Sequence, residues 1–81
     1  MKIKDLNYKL NEFIKTHQLE KKYNKAKTLF ENDFNHPSLS VEILEPKHLK
    51  IYSFRIDLKY RAIFIIVDEE VEVVAITTHY Q

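Results

Sequence analysis

Glycine, cysteine and tryptophan are absent from the sequence, and proline occurs only twice in 81 residues. Without glycine there is no phosphate-binding P-loop, no dinucleotide fingerprint and no GxSxG nucleophile elbow. Without cysteine there is no disulfide and no thiolate metal site, and nothing points to an oxidising compartment. Long apolar runs are missing too: the longest, Ala62 to Val67, falls far short of the ~20 residues that span a bilayer. Charges interrupt every early apolar stretch of Met1-Lys2-Ile3-Lys4-Asp5, which is no signal-peptide pattern. The expectation is one cytoplasmic domain over residues 1–81 with a thin core, since a chain this size buries roughly 60% of its unfolded surface.

Within that bound the apolar residues show two periods. Ile3, Leu6, Leu10, Phe13 and Ile14 form one stripe of a 3.6-residue helix, with a break expected near Thr16-His17-Gln18. Leu19, Tyr23, Ala26, Leu29 and Phe30 form a second stripe, which Asn32, Asp33, Asn35 and Pro37 bring to an end near Asn32. Tyr8, Phe13, Tyr23 and Phe30 read as core at this spacing, and His17 and His48 as surface. After Pro37 the period becomes two. Strands are expected over Leu39–Leu44, Ile51–Ile56, Tyr60–Val67 and Val71–Thr77, with turns at Glu45–His48, Asp57–Lys59 and Asp68–Glu70. Tyr60–Val67 is apolar on both faces and belongs in the middle of the sheet. Without glycine or asparagine, the turn at Asp57–Lys59 is not expected to be the tight two-residue type. The fold class is α+β: an N-terminal helical hairpin on one face of a three- to four-stranded antiparallel sheet.

A net charge of +1 argues against a nucleic-acid partner only if the charges are spread evenly. They are not. Residues 47–61 carry Lys47, Lys50, Arg55, Lys59 and Arg61 against Asp57 alone, and both arginines of the chain lie there. Arginine is the side chain suited to forked phosphate contacts. A solvated strand face is the plain alternative.

Several short stretches stand in a recognisable order: Leu29-Phe30, then His36-Pro37-Ser38-Leu39, then Tyr52-Ser53-Phe54-Arg55-Ile56-Asp57, then Tyr60-Arg61-Ala62-Ile63-Phe64. An acidic turn, a last apolar strand and Thr78-His79-Tyr80 follow. This ordered set resembles the RelE/ParE superfamily, small toxins of bacterial toxin–antitoxin pairs, and within it the YafQ-like mRNA interferases whose sheet ends on a histidine. Members usually open with a strand before the helices, and the charged Met1–Asp5 leaves little room for one here.

The resemblance implies a RelE-like fold, a cognate antitoxin as partner, and metal-independent cleavage of mRNA on the ribosome, with no cofactor and no membrane. In-line attack by a ribose 2′-OH needs a base, cations for the developing charge and an acid for the leaving oxygen. Arg55 and Arg61 form a phosphate clamp if the intervening turn brings them together. His79 is the candidate proton-transfer group, titrating near neutrality, with Asp57 or Tyr80 to assist. Asp57 is also expected to hold one of the arginines by a salt bridge. Lys59, Lys50, Lys47, His36 and Tyr80 are candidate RNA contacts, although His36 beside Pro37 also reads as a loop cap. The four histidines, at 17, 36, 48 and 79, lack metal-ligand spacing. Two other functions stay open: a ParE-type poison of DNA gyrase, and a non-catalytic module that binds a partner peptide.

Overall fold

Phe30, Phe54 and Phe64 meet where helix lies on sheet, with ring centroids 5.2 to 5.8 Å apart. Around them are buried Ile3, Ile14, Leu19, Tyr23, Ala26, Leu39, Ala62, Val71 and Val73. The computed structural model describes residues 1–78. Two helices, α1 (Tyr8–Thr16) and α2 (Glu20–Asn32), precede an antiparallel meander of β1 (Glu42–Ile43), β2 (Tyr52–Arg55), β3 (Arg61–Val67) and β4 (Glu70–Thr77). Spatial order follows chain order, so β3 lies between β2 and β4, as its two apolar faces require. No helix among the described residues is long and apolar enough to cross a membrane.

The first stripe is only partly helical. Asn7 caps α1, its Oδ1 accepting from the Leu10 amide at 2.9 Å, so the helix begins at Tyr8. Tyr8 is exposed rather than core. Ile3 is buried by another route. The Lys4 amide donates to the Val71 carbonyl and the Val71 amide to the Lys2 carbonyl, both at 2.8 Å, which makes a single parallel bridge on β4. On its other side the Ile3 amide donates to Glu31 Oε2 of α2 at 2.8 Å. The charged opening therefore does hold a rudimentary edge strand. Its charges point away while one isoleucine enters the core.

The strand expected from Leu39 is the second correction. Pro37–Leu39 is a turn of 3-10 helix, capped by His36, whose Nδ1 accepts from the Ser38 amide at 3.1 Å. Ser40 then takes a left-handed conformation (φ 46°), and pairing is confined to Glu42 and Ile43. Leu39 is buried all the same, so its hydrophobicity belonged to the core and only its period misled.

The hairpins solve the lack of glycine in two ways. Asp68 and Glu69 both adopt positive φ (51° and 68°) in a two-residue connection between the paired Val67 and Glu70. Such primed turns match the strands' twist but cost a non-glycine residue roughly 1 kcal/mol or more. The connection from β2 to β3 is longer. The Ile56 and Asp57 amides donate to the Tyr60 carbonyl, and Asp57 Oδ1 accepts from the Lys59 and Tyr60 amides at 2.8 and 2.6 Å. There an aspartate side chain supplies the turn geometry.

One irregularity in β4 positions the site. Ile63 pairs with Ala75 and Phe64 with Val73, leaving Val74 as an extra residue. The bulge reverses the alternation beyond it. Ile76 turns to the helix side opposite Ala62, and Thr77 comes beside Arg61.

Candidate functional site

The register places Arg55, Arg61 and Thr77 in one row across β2, β3 and β4, on the face away from the helices. Side chains directly opposite on an antiparallel pair have Cβ atoms about 4.5–5.5 Å apart. The two arginines therefore converge. The intervening turn settles this: it joins the strands with Arg55 and Arg61 as partners, so residues six apart share a face.

Arg61 is only 8% exposed, unusual for a guanidinium. Its Nε and Nη2 donate to Ser53 Oγ at 3.1 and 2.9 Å, and Nη2 also donates to the Ser40 carbonyl. Ser53 is fully buried beneath it. The left-handed Ser40 aims its carbonyl at the guanidinium, so the backbone cost at that residue goes into holding Arg61. Arg55 is half-buried and makes no hydrogen bond or ion pair among the described residues. One arginine is thus fixed and its neighbour is available.

These residues border a cleft of about 270 Å³ lined by Ser40, Glu42, Arg55, Asp57, Leu58, Lys59, Arg61 and Thr78. Arg55, Lys59 and Arg61 face Glu42 and Asp57 there. Asp57 does not serve as the arginines' salt-bridge partner. Its Oδ2 accepts from Lys22 Nζ of α2 at 3.2 Å, and its Oδ1 is taken by the turn amides. The turn amides and the lysine fix this carboxylate towards its own loop and α2 rather than across the strands. Burial pushes the Asp57 carboxyl up, but the Tyr60 and Lys59 amides and Lys22 outweigh it and hold it below its ordinary value.

That depression sets a pH dependence. A carboxyl with a lowered folded value stabilises the fold at pH above its unfolded value near 3.9, and the contribution is lost as pH falls through the folded value. Asp57→Asn mimics the protonated form and keeps the turn acceptor. It is expected to lower stability by about 1 kcal/mol at pH 7. The gap from wild type should begin to narrow as pH falls below about 4 and close once pH is below the lowered folded value. Urea unfolding of both proteins across pH checks this, and a gap that persists in acid contradicts it.

The other candidates separate. Lys59 lines the cleft, whereas Lys47 opens and Lys50 caps the exposed 3-10 turn Lys47–Leu49, before the opposite end of β2, and neither lines it. His36 caps its loop and borders an adjoining groove with Lys22, Leu29, Arg55 and Asp57. His79 and Tyr80 lie outside the described residues, and His79 follows the cleft residue Thr78 in the sequence. Among the described residues no three His, Asp or Glu side chains group as a metal site. Sequence reasoning passed over Ser40 and Ser53. Ser53 carried a signal, a hydroxyl between Tyr52 and Phe54 in an apolar strand, but Ser40 carried none because it acts through its carbonyl.

No known family's sequence profile matches the chain, and no curated protein matches it. Solved structures do. A chain of the heterotetrameric YoeB-YefM toxin–antitoxin complex from Staphylococcus aureus superposes with a TM-score of 0.64 at 20% identity, covering 95% of this chain and 100% of that one. A chain of a second YoeB-YefM complex from Staphylococcus aureus gives 0.62 at 18% identity over the same shares. What is shared at that identity is the fold, which in this chain is two helices on a four-stranded antiparallel sheet.

Proposed function

We propose that this chain is the toxin of a toxin–antitoxin pair and cleaves mRNA on the ribosome, and that a cognate antitoxin neutralises it. The observation that carries the reading is the direct pairing of Arg55 with Arg61 on the open sheet face. Like charges opposite one another destabilise a sheet by about 0.2–1 kcal/mol. A phosphate between them reverses the sign of that term. The fold shared with the YoeB-YefM complexes supports both the class and the existence of a protein partner.

In this reading the labour of in-line cleavage is divided among the cleft residues. Arg61, held by Ser53 and Ser40, presents a guanidinium that need not reorganise as charge develops on the phosphate oxygens, the condition under which electrostatic stabilisation is strongest. Arg55, free to move, captures the phosphate, and Lys59 at the mouth neutralises the next one. The 2′-oxygen bonds to phosphorus as its proton passes to water, and the P–O5′ bond breaks as His79 supplies a proton to the departing 5′-oxygen. Asp57 sets the loop that carries Lys59 and does not touch the substrate.

Arg55→Ala separates function from fold. Induced in a bacterial host, the wild-type chain is expected to stop growth with loss of translation and appearance of cut transcripts. The variant is expected to lose that effect by about a hundredfold or more. Its thermal midpoint should stay equal or rise by a few degrees, because a like-charge pair is gone. A DNA-damage response with translation intact replaces this reading with gyrase poisoning. A harmless wild-type chain leaves only the binding module.

A further inference from the structure

A second cleft, of about 400 Å³, lies beside the arginine cleft and is bordered by Phe13, His17, Lys59, Tyr60, Ile76, Thr77 and Thr78. Lys59 and Thr78 line both, so the two are continuous along the rim of the sheet. The shared wall is cationic and the far wall is aromatic. His17 stacks on Phe13 with ring centroids 3.9 Å apart and planes 23° apart, and Tyr60 meets both rings edge-on at 5.8 Å. Lys59 Nζ lies 5.3 Å from the centre of the Tyr60 ring.

His17 is a surface residue but not a loose one. Its Nδ1 lies 2.9 Å from the Phe13 carbonyl, which can only accept, so Nδ1 carries a proton. The ring is thereby oriented and Nε2 is left to face solvent. An exposed imidazole fixed on a half-buried phenyl ring is a platform, assembled before any ligand arrives.

We propose that this corner is a nucleobase subsite: it stacks one base of the RNA strand whose phosphate lies between Arg55 and Arg61. The inference rests on the RNA-cleaving reading above and extends it from phosphate to base. Three observations converge. The platform is continuous with the arginine cleft. The residue between them, Lys59, suits the intervening phosphate. The far wall offers rings, the feature by which single-stranded RNA is gripped irrespective of sequence. The structure assigns His17 as the stacking residue, Phe13 and Tyr60 as its support and Lys59 as the bridge.

Binding of a short single-stranded RNA, compared with the same strand carrying one abasic nucleotide at each position in turn, tests this directly. Wild type is expected to bind the intact strand about tenfold more tightly than the strand abasic at the stacked position. His17→Ala should abolish that difference and bind both like the abasic strand, whereas His17→Phe should retain it. His17 is exposed, so all three proteins are expected to fold alike, which circular dichroism verifies. If His17→Ala binds the intact strand as wild type does while Arg55→Ala weakens every strand equally, the subsite is wrong and the RNA reading stands. If neither wild type nor any variant binds RNA, both fall together.

Discussion

Replacing Arg61 by alanine is expected to lower RNA cleavage at least a hundredfold while leaving a folded protein. Removing one preorganised donor to a developing oxyanion typically costs a factor of about 10²–10³. Arg61 is the most rigidly held cation of the cleft, buried and tied through two nitrogens to Ser53 and Ser40. Lysine is not expected to rescue it. An ammonium on a flexible stem, a point charge with three donors, cannot reproduce the planar fork that bonds Ser53 through Nε and Nη2 and Ser40 through Nη2. Ser53→Ala completes the set: it keeps the charge but removes the hydroxyl that accepts two bonds from the guanidinium, and should cost about tenfold or more, the scale of losing a hydrogen bond to a charged group. Cleavage of a translated message in a purified translation system, with thermal midpoints measured in parallel, gives all three values. Equal activity of Arg61→Lys and wild type contradicts the clamp geometry.

The alternation of β2 made much of this arrangement legible. Ser53 and Arg55 had to share a face opposite Phe54, and the order of elements followed from the change of period after Pro37. What stayed hidden depended on contacts distant in sequence. Ile3 fits a helical stripe with Leu6 and Leu10, yet Val71 bonds the backbone of Lys2 and Lys4 on either side of it and Glu31 accepts from its own amide, and no local pattern records partners so far along the chain. The bulge at Val74 was equally silent. The run Val73-Val74-Ala75-Ile76 is apolar throughout, so a slip of one residue leaves no trace in its hydrophobicity. Yet that slip puts Thr77 rather than Ile76 beside Arg61. The partner of Asp57 was misjudged for a related reason: Lys22 lies 35 residues away, on a helix whose packing angle the sequence does not state. The order of the strands was readable, and the contacts between helix and sheet were not.

Phe30→Ala is the largest expected loss of stability, about 3–5 kcal/mol. Phe30 is 2% exposed and is the ring of α2 that reaches Phe54 of β2 and Phe64 of β3, at 5.2 and 5.5 Å. At roughly 0.05–0.15 kcal/mol per residue, a domain of this length has about 4–12 kcal/mol in total. The alanine variant therefore loses a quarter or more of its stability, and at the lower end of that range it unfolds. Phe30→Leu fills most of the space and should cost only about 1–1.5 kcal/mol. Urea midpoints with unchanged slope distinguish the two, and similar midpoints for both would mean that the aromatic cluster is not the keystone of the core. The consequence for the site follows from the pleat. Phe54 faces the helices while its neighbours Ser53 and Arg55 face the cleft, so β2 is gripped on one side and used on the other. Arg61 keeps its bonds to Ser53 only while Phe54 is held from behind. Phe30→Leu should accordingly retain full cleavage at temperatures where it is folded, and Phe30→Ala should lose cleavage and α2 in a single transition.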